Sequence, residues 1–113
     1  MIDLYEVLDT EDLRTRPAMF IGVKSLTRLY VWIMGLRSAE FFGLGQVASA
    51  PAFGGFHEFV REKYDFSEST SGWCRMLLEA EHRACWVRSA EDVEKRAVDR
   101  FFADLDEFRK QAE

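Results

Sequence analysis

Apolar residues recur every three or four positions along the C-terminal part of the chain, and this pattern leaves little alternative to a long helix. Five of them share one face: Val93, Ala97, Phe101, Leu105 and Phe108. An α-helix has 3.6 residues per turn, so this spacing builds an apolar stripe along one side, opposite a charged side. Ser89, with Asp92 three residues later, is close to a capping box. The sequence therefore predicts an amphipathic helix that starts after Ser89.

The same spacing recurs in earlier segments and predicts further helices. Residues 26–42 and 56–64 carry it, and so does a stretch through Trp73, Met76, Leu77 and Ala80. Residues 3–16, before Pro17, fit one broken helix or two short ones. Because no segment alternates apolar and polar residues, we predict an all-α fold, an irregular bundle of about five helices. At 113 residues the chain has the usual size of one domain, so we expect a single helical domain over residues 1–113.

Four stretches interrupt the helical spacing and are predicted to be connectors. They are residues 16–22, 43–55, 65–72 and 82–88. In the first, the residue before Pro17 avoids the helical region and a glycine at its end can take a positive φ. We therefore expect residues 16–22 to be extended or irregular. Residues 82–88 are predicted to be irregular, and a helix end, a loop or a short strand remains open for them.

Short polar side chains mark the expected helix starts. Ser25 precedes the segment of residues 26–42, and Thr10 can cap a second short turn near the N-terminus. Ser69, Thr70 or Ser71 can cap the helix that contains Trp73, and the sequence does not choose among the three.

Charge and hydropathy exclude several classes of function. The chain has fifteen basic and twenty acidic residues, a net charge of −5 and no basic run. Because nucleic-acid binding rests on clustered Lys and Arg, we do not expect a nucleic-acid partner. The most apolar stretch, residues 29–36, is far shorter than a membrane span, and the acidic N-terminus does not resemble a secretion signal. Cys74 and Cys85 form no disulfide framework, so we expect a reducing, cytoplasmic location and no membrane partner.

The residues that could bind a metal ion or act as a base are few. The chain has two histidines, His57 and His82. Glu79 and His82 repeat the spacing of ligand pairs in di-metal helical bundles, but such a site needs a second pair, which the sequence lacks. Mixed charges around Glu79 and Glu81 favour a solvated helix face instead. We expect His57 at a helix end or on the surface, and no metal site.

Nucleophilic and cofactor chemistry has equally little support. The Cys74 thiol could be activated if Ser71 and Gly72 open a helix just before it, but a buried structural cysteine is the commoner case. The glycine-rich stretches lack the lysine of a phosphate-binding loop. Asp104 and Glu107 are expected on the polar face of the last helix. We therefore predict no catalytic residues, no cofactor and no enzymatic activity, with an enzyme that uses Cys74 or His57 as the remaining alternative.

One short motif is similar to a known ATPase sequence. Residues 16–22, Arg-Pro-Ala-Met-Phe-Ile-Gly, resemble a stretch near the N-terminus of the ATPase domain of DNA gyrase B subunits. In that family the next helix carries a Glu and an Asp-Asn pair for magnesium and adenine. Here that helix has only Glu40, no Asn occurs in the chain, and the chain is too short for the ATPase sheet. We interpret the likeness as shared connector chemistry.

A wider resemblance covers nearly the whole chain. Its stretches are Arg-Pro-Ala-Met-Phe-Ile-Gly (16–22), Ser-Leu-Thr-Arg-Leu (25–29), Gly-Phe-His-Glu-Phe-Val (55–60), Ser-Thr-Ser-Gly-Trp-Cys (69–74) and Phe-Phe-Ala-Asp-Leu-Asp-Glu-Phe (101–108). In this order they resemble a group of small bacterial proteins similar in kind to the immunity proteins encoded beside secreted antibacterial toxins. The resemblance implies a cytoplasmic protein that binds and blocks a toxin domain. It implies no catalytic residues.

Aromatic residues make up 14% of the chain and supply the candidates for contact with such a partner. Large aromatic side chains often anchor protein interfaces, and an acidic protein suits a basic partner. The candidate partner-binding residues are Trp32, Phe53, Tyr64, Trp73 and Trp86. Each of them can instead belong to the core. The alternative hypothesis is a homodimeric structural or regulatory protein that pairs through residues 31–36, whose helix is otherwise expected at the centre of the fold.

Overall fold

The computed structural model describes residues 4–41, 53–66, 72–84 and 88–111, and in these ranges it is all-α. The described chain forms seven α-helices and no strand. They are α1 (Leu4–Leu8), α2 (Glu11–Thr15), α3 (Ala18–Ile21), α4 (Leu26–Phe41), α5 (Phe56–Lys63), α6 (Gly72–Ala84) and α7 (Ala90–Gln111). A 3₁₀ turn, Phe53–Gly55, leads directly into α5. The predicted fold class is confirmed, with more helices than expected.

The helix predicted from the C-terminal periodicity is α7, and its expected cap is present. The backbone N–H of Asp92 donates to Ser89 Oγ over 3.1 Å, and the N–H of Val93 donates to the Ser89 carbonyl over 3.0 Å. The apolar stripe of α7 packs against α4, α5 and α6. Helix α7 therefore contacts each of the other three longest helices of the described chain.

Helix α4, for which the sequence favoured a central position, packs against α1, α3, α6 and α7 but is not covered on all sides. The expected cap is present, because the N–H of Arg28 donates to Ser25 Oγ over 3.3 Å. Leu26, Leu29 and Ile33 are buried, but Val31 on another side of the helix is 63% exposed. One face of α4 thus closes the core and another meets solvent.

The N-terminal region contains three short helices. Two of them, α1 and α2, match the alternative of two short helices predicted for residues 3–16, and the third, α3, lies in the predicted connector of residues 16–22. The prediction that residues 16–22 are extended is wrong in part, because α3 is one helical turn. Pro17 takes helical angles (φ −59°, ψ −29°), which suit the first turn since its missing N–H has no partner there in any case. Both ends behave as predicted: Arg16 is non-helical, and Gly22 has a φ of 84°.

Two smaller predictions also differ from the structure. Thr10 precedes α2, but its Oγ1 donates to the Glu6 carbonyl over 3.3 Å and does not cap that helix. Helix α6 continues to Ala84, so the first part of the stretch 82–88 is a helix end, one of the alternatives left open, and not irregular; residues 85–87 lie outside the described residues. Of the predicted connectors 43–55 and 65–72, residues 43–52 and 67–71 lie outside the described residues, and so do the capping candidates Ser69, Thr70 and Ser71.

Most of the described aromatic residues pack into the core. Trp73 of α6 stacks on Phe101 of α7 with ring centroids 4.9 Å apart, and Phe56 of α5 meets both rings edge-on at 5.5 Å. Phe53 packs on Trp73 at 5.8 Å. Edge-to-face and offset aromatic pairs stabilise a core beyond the effect of buried area alone. The high aromatic content is therefore explained largely by the core.

No helix in residues 4–41, 53–66, 72–84 or 88–111 is both long enough and apolar enough to cross a bilayer.

Candidate functional site

Cys74, the candidate nucleophile, lies inside the core. It is the third residue of α6, where a helix N-terminus favours a thiolate, but its side chain is buried and Sγ lies 3.9 Å from the Leu26 carbonyl oxygen. Burial raises the pKa of the Cys74 thiol to about 12. The thiol is therefore protonated at neutral pH, which matches the predicted structural cysteine.

The histidines are placed as the sequence suggested. His57 is the second residue of α5 and is half-buried, and His82 is exposed near the end of α6. Glu79 is exposed and pairs with Arg83 Nη2 over 2.9 Å. Among the described residues no group of three or more His, Cys, Asp or Glu side chains is arranged to hold a metal ion.

Asp104, expected on the polar face of the last helix, is instead buried at 2% exposure. Lys63 Nζ lies 2.6 Å from Asp104 Oδ1, and the Tyr64 hydroxyl donates to Oδ2 over 2.5 Å. Burial and the hydrogen bond to Asp104 raise the pKa of Tyr64. A carboxylate at this depth would be costly without such partners. Asp104 thus joins the end of α5 to α7, while Glu107 remains exposed as expected.

A second buried carboxylate, Glu81 on α6, corrects the prediction of a solvated helix face. Glu81 is 6% exposed, and Arg100 Nε of α7 lies 2.6 Å from its Oε2. Arg88 donates to the other oxygen. Arg100 Nη1 also donates to the Tyr64 hydroxyl over 3.1 Å, which connects this pair to Asp104. The buried polar network, defined as Tyr64, Glu81, Arg88, Arg100 and Asp104, spans α5, α6 and α7.

This buried polar network was missed although the helical spacing contains a signal for it. Position 104 follows Phe101 by three residues, and position 81 follows Leu77 by four, so both lie beside buried apolar positions. An acidic residue on an apolar stripe predicts a buried, paired carboxylate. Every carboxylate oxygen of the network accepts a hydrogen bond from the protein. The buried polar network therefore acts as a structural link between helices.

The described members of the predicted partner-binding set do not form one exposed surface. Phe53 and Trp73 are buried in the core. The hydroxyl of half-buried Tyr64 belongs to the buried polar network. Trp86 lies outside the described residues. Half-buried Trp32 remains, and its ring lies beside that of exposed Phe20, with centroids 6.4 Å apart.

Trp32 belongs to an exposed apolar surface whose other residues were not among the five predicted partner-binding residues. Four large apolar side chains of the described chain are strongly exposed: Met19 (66%), Val31 (63%), Phe20 (44%) and Val23 (41%). All four lie on α3, on α4 or in the turn between them. We call Met19, Phe20, Val23, Val31 and Trp32 the α3–α4 face. Soluble proteins rarely leave large apolar side chains clustered at the surface without a use for them.

The local fold explains why the α3–α4 face is exposed. Ile21 at the end of α3 is buried and fastens the short helix to the core, so its neighbours Met19 and Phe20 are left outside. The positive φ of Gly22 then turns the chain toward α4. A depression of about 320 Å³ lies in this region, lined by Ile21, Thr27, Arg28, Val31 and Trp32. Its volume is near the lower limit of about 300 Å³ for small-ligand pockets, and it suits an apolar side chain.

A larger depression, of about 500 Å³, lies between α6 and α7. Its lining combines charged side chains with the apolar surface of Leu78, Ala90 and Val93, and several of the charged groups are already paired within the protein. Glu94 accepts hydrogen bonds from the N–H and the hydroxyl of Thr27, at 2.9 and 2.5 Å, and Arg88 is bound to Glu81. These contacts connect helices, so the α3–α4 face is the stronger candidate for a binding site.

No protein-family model matches this chain, and searches of curated proteins and of solved structures give no match either.

Proposed function

We propose that this protein is a protein-binding module, an immunity protein that binds and neutralises an antibacterial toxin in the cytoplasm. The observation that carries the proposal is the exposure of Met19, Phe20, Val23 and Val31 on two consecutive helices and the turn between them, with the Phe20 ring 6.4 Å from that of Trp32. Exposed apolar and aromatic side chains of this kind provide the centre of protein interfaces. The partner is a protein, with neither nucleic acid nor membrane involved, and the role is binding without catalysis or a cofactor.

The position of the α3–α4 face supports this proposal. Residues 16–22, the first stretch in the resemblance to immunity-like proteins, contain Met19 and Phe20, and residues 25–29 lead into the turn of α4 that carries Val31. The resemblance and the exposed surface therefore involve the same part of the chain. Buried Ile21 and the capped start of α4 hold this surface in a fixed shape before binding, which reduces the entropy lost in a complex.

The proposal is tested with the gene adjacent to the one for this protein. We expect that gene to encode a toxin, that its expression alone kills the host, and that co-expression of this protein restores growth. The purified pair should elute from a sizing column as a complex of one copy each. Survival of cells that express the neighbour alone, or a metabolic enzyme in that position, would contradict the proposal.

A homodimeric structural or regulatory protein is the second candidate. A dimer is favoured by the incompletely covered side of α4, where Val31 is strongly exposed and Trp32, Met34 and Leu36 are half-buried. A two-fold contact through residues 31–36 would cover these side chains. Light scattering on the purified chain separates the two candidates, because a monomer at all accessible concentrations eliminates the dimer and leaves the immunity protein.

A further inference from the structure

The part of the chain that forms the α3–α4 face differs in charge from the remainder. Residues 13–39 contain five basic and no acidic residues, although the whole chain has fifteen basic and twenty acidic ones. The other residues therefore hold ten basic and twenty acidic side chains. The single exposed apolar cluster of the described chain lies within its basic segment. The net charge of −5 conceals this difference.

Within the basic segment, Arg28 is the charge available to a partner. Arg16 pairs with Asp12 at 2.7 Å, and Lys24 pairs with Asp99 at 2.8 Å. Arg14 pairs with Asp9 and Asp106, and half-buried Arg37 lies over the Phe53 ring. Arg28 is exposed and lines the 320 Å³ depression, and none of the described carboxylates lies within 4 Å of its guanidinium. A Cβ at Gly22 would stand 3.6 Å from Arg28 Nη1, so the guanidinium lies against the turn that joins α3 to α4.

We infer that the α3–α4 face binds a protein surface with an apolar centre and an acidic rim, one apolar side chain entering the depression while a carboxylate pairs with Arg28. The inference rests on the proposed function and specifies its contact. Arg–carboxylate pairs are often bidentate and give orientation as well as attraction. Apolar side chains at the centre supply affinity, and charges at the rim mainly accelerate association. This reverses the expectation from the net charge, which suggested a basic partner.

The charge of the basic segment argues against a second copy of the chain as the partner of the α3–α4 face. In a two-fold contact the same patch meets itself, so this face would meet the same basic segment of the other copy. Arg28 would then face a segment that supplies no acidic group. Asp99 and Glu94 of α7 border that segment, but they are already bound to Lys24 and Thr27. Like charges across an interface cost binding free energy.

An anionic membrane surface fits less well than an acidic protein surface. Peripheral membrane binding needs several basic groups that remain free for lipid headgroups, together with apolar side chains that project into the bilayer. Here Arg16 and Lys24 are already paired with Asp12 and Asp99, and Trp32 borders a depression. The acidic remainder of the chain also repels an anionic surface.

The test measures binding of the full-length protein to the toxin encoded by the adjacent gene, using calorimetry at low and at high salt. Val31→Asp should weaken binding about 100-fold because it places a charge at the apolar centre. Arg28→Glu should weaken it about 10-fold and reduce the salt dependence, and Arg28→Lys should restore much of both. Since Val31 and Arg28 are exposed, these variants should fold, which circular dichroism verifies.

Lys110→Glu is the matched control for charge reversal. Lys110 is exposed on α7, sixteen residues beyond Glu94, which contacts Thr27 at the start of α4. At 1.5 Å per residue this is about 24 Å along the helix axis. The control should keep the affinity of the unmodified protein within about threefold, because distant surface charges contribute little to a contact they do not touch.

The outcomes distinguish this inference from the function on which it rests. If the unmodified protein does not bind the toxin, both are overturned. If it binds, and Val31→Asp and Arg28→Glu bind equally well, the α3–α4 face is not the contact and only the inference is overturned. Binding to vesicles of phosphatidylglycerol that Val31→Asp abolishes, or a dimer that Val31→Asp dissociates, would assign the face to a different occupant and would also overturn it.

Discussion

The Tyr64 hydroxyl donates a hydrogen bond to Asp104 Oδ2 over 2.5 Å and thereby links the end of α5 to the buried side of α7. Lys63, the preceding residue, binds the other oxygen of the same carboxylate. Burial lowers the pKa of Lys63, but its hydrogen bonds to Asp104 and Glu107 outweigh this effect and leave that pKa above the ordinary value. Lys63 and Tyr64 thus both stabilise the buried Asp104 carboxylate, so the contact between the end of α5 and α7 depends on Asp104.

Removal of the Asp104 carboxylate is expected to destabilise the fold. Asp104→Ala should lower the free energy of unfolding by about 3 kcal/mol, because breaking a buried charge pair leaves its partners uncompensated. Chemical denaturation followed by circular dichroism measures the change. Asp99→Ala is the control on the same helix. Since the Asp99 side chain is 65% exposed and pairs with Lys24 at the surface, its loss should cost at most about 1 kcal/mol. Equal losses of unfolding free energy in the two variants would contradict the description of Asp104 as a buried charge stabilised by Lys63 and Tyr64.

Glu81 and Glu79 allow the same comparison on α6. Glu81→Gln should lower the free energy of unfolding by about 3 kcal/mol, since it removes the negative charge that Arg88 and Arg100 share at a buried position. Glu79→Gln removes an exposed ion pair with Arg83 and should change stability by at most about 0.5 kcal/mol. Urea denaturation of the two variants and the unmodified protein decides the point. A Glu81→Gln protein as stable as Glu79→Gln would contradict the assignment of Glu81 to a structural network.

Helix α7 and the ends of α3 could be predicted from local sequence, since each depends on interactions within a few residues. Ser89 caps its own helix, and Gly22 ends α3 by a backbone conformation that other residues avoid. The contact between Tyr64 and Asp104 joins residues 40 positions apart, and nothing local to either residue indicates the other. The position of Asp104 on the apolar stripe predicts that it needs a partner, but only the tertiary structure identifies Tyr64.

The candidate binding site was predicted only in part, for a related reason. Trp32, Phe53 and Trp73 are equally aromatic in the sequence, and which of them is covered depends on how α4, α5 and α6 pack. The sequence indicates Val31 only within residues 31–36, the contact of the alternative dimer hypothesis, and Met19 lies in a stretch that is predicted to be a connector. The exposed face of α4 is set by the side that α7 covers, which is a property of the assembled bundle.

The two tryptophans should separate stability from binding. Trp73→Ala should lower the free energy of unfolding by about 4 kcal/mol, since Trp73 is buried against Phe101. Trp32→Ala should cost about 1 kcal/mol because Trp32 is half-exposed. Thermal unfolding measures both. In the toxin-binding assay, Trp32→Ala should then bind weakly while fully folded, and a folded Trp32→Ala protein of undiminished affinity would remove Trp32 from the contact.

Cys74 gives the protein a defined pH dependence at alkaline pH. An ordinary thiol has a pKa of 9.0, whereas burial raises the pKa of folded Cys74 to about 12. Between these values the unfolded chain loses a proton that the folded chain keeps. The contribution of Cys74 to stability is therefore complete below pH 9 and declines as the pH rises toward 12. Denaturation of the unmodified protein and of Cys74→Ala across this range should show a steeper decline in the unmodified protein. Parallel curves would show that Cys74 is not a buried thiol.

Two Gly→Ala substitutions should change stability in opposite directions. Gly22 has a φ of 84°, which an alanine adopts only with strain, so Gly22→Ala should destabilise the protein by about 1 kcal/mol. Gly35 lies inside α4, is exposed, and has open space where a Cβ would stand. Gly35→Ala should therefore stabilise the protein by about 1 kcal/mol, because glycine is the less favourable of the two residues within a helix. Differential scanning calorimetry should show a lower melting temperature for the first variant and a higher one for the second. A higher melting temperature for Gly22→Ala would mean that the turn between α3 and α4 does not need the positive φ, and with it the fixed position of the α3–α4 face would lose its support.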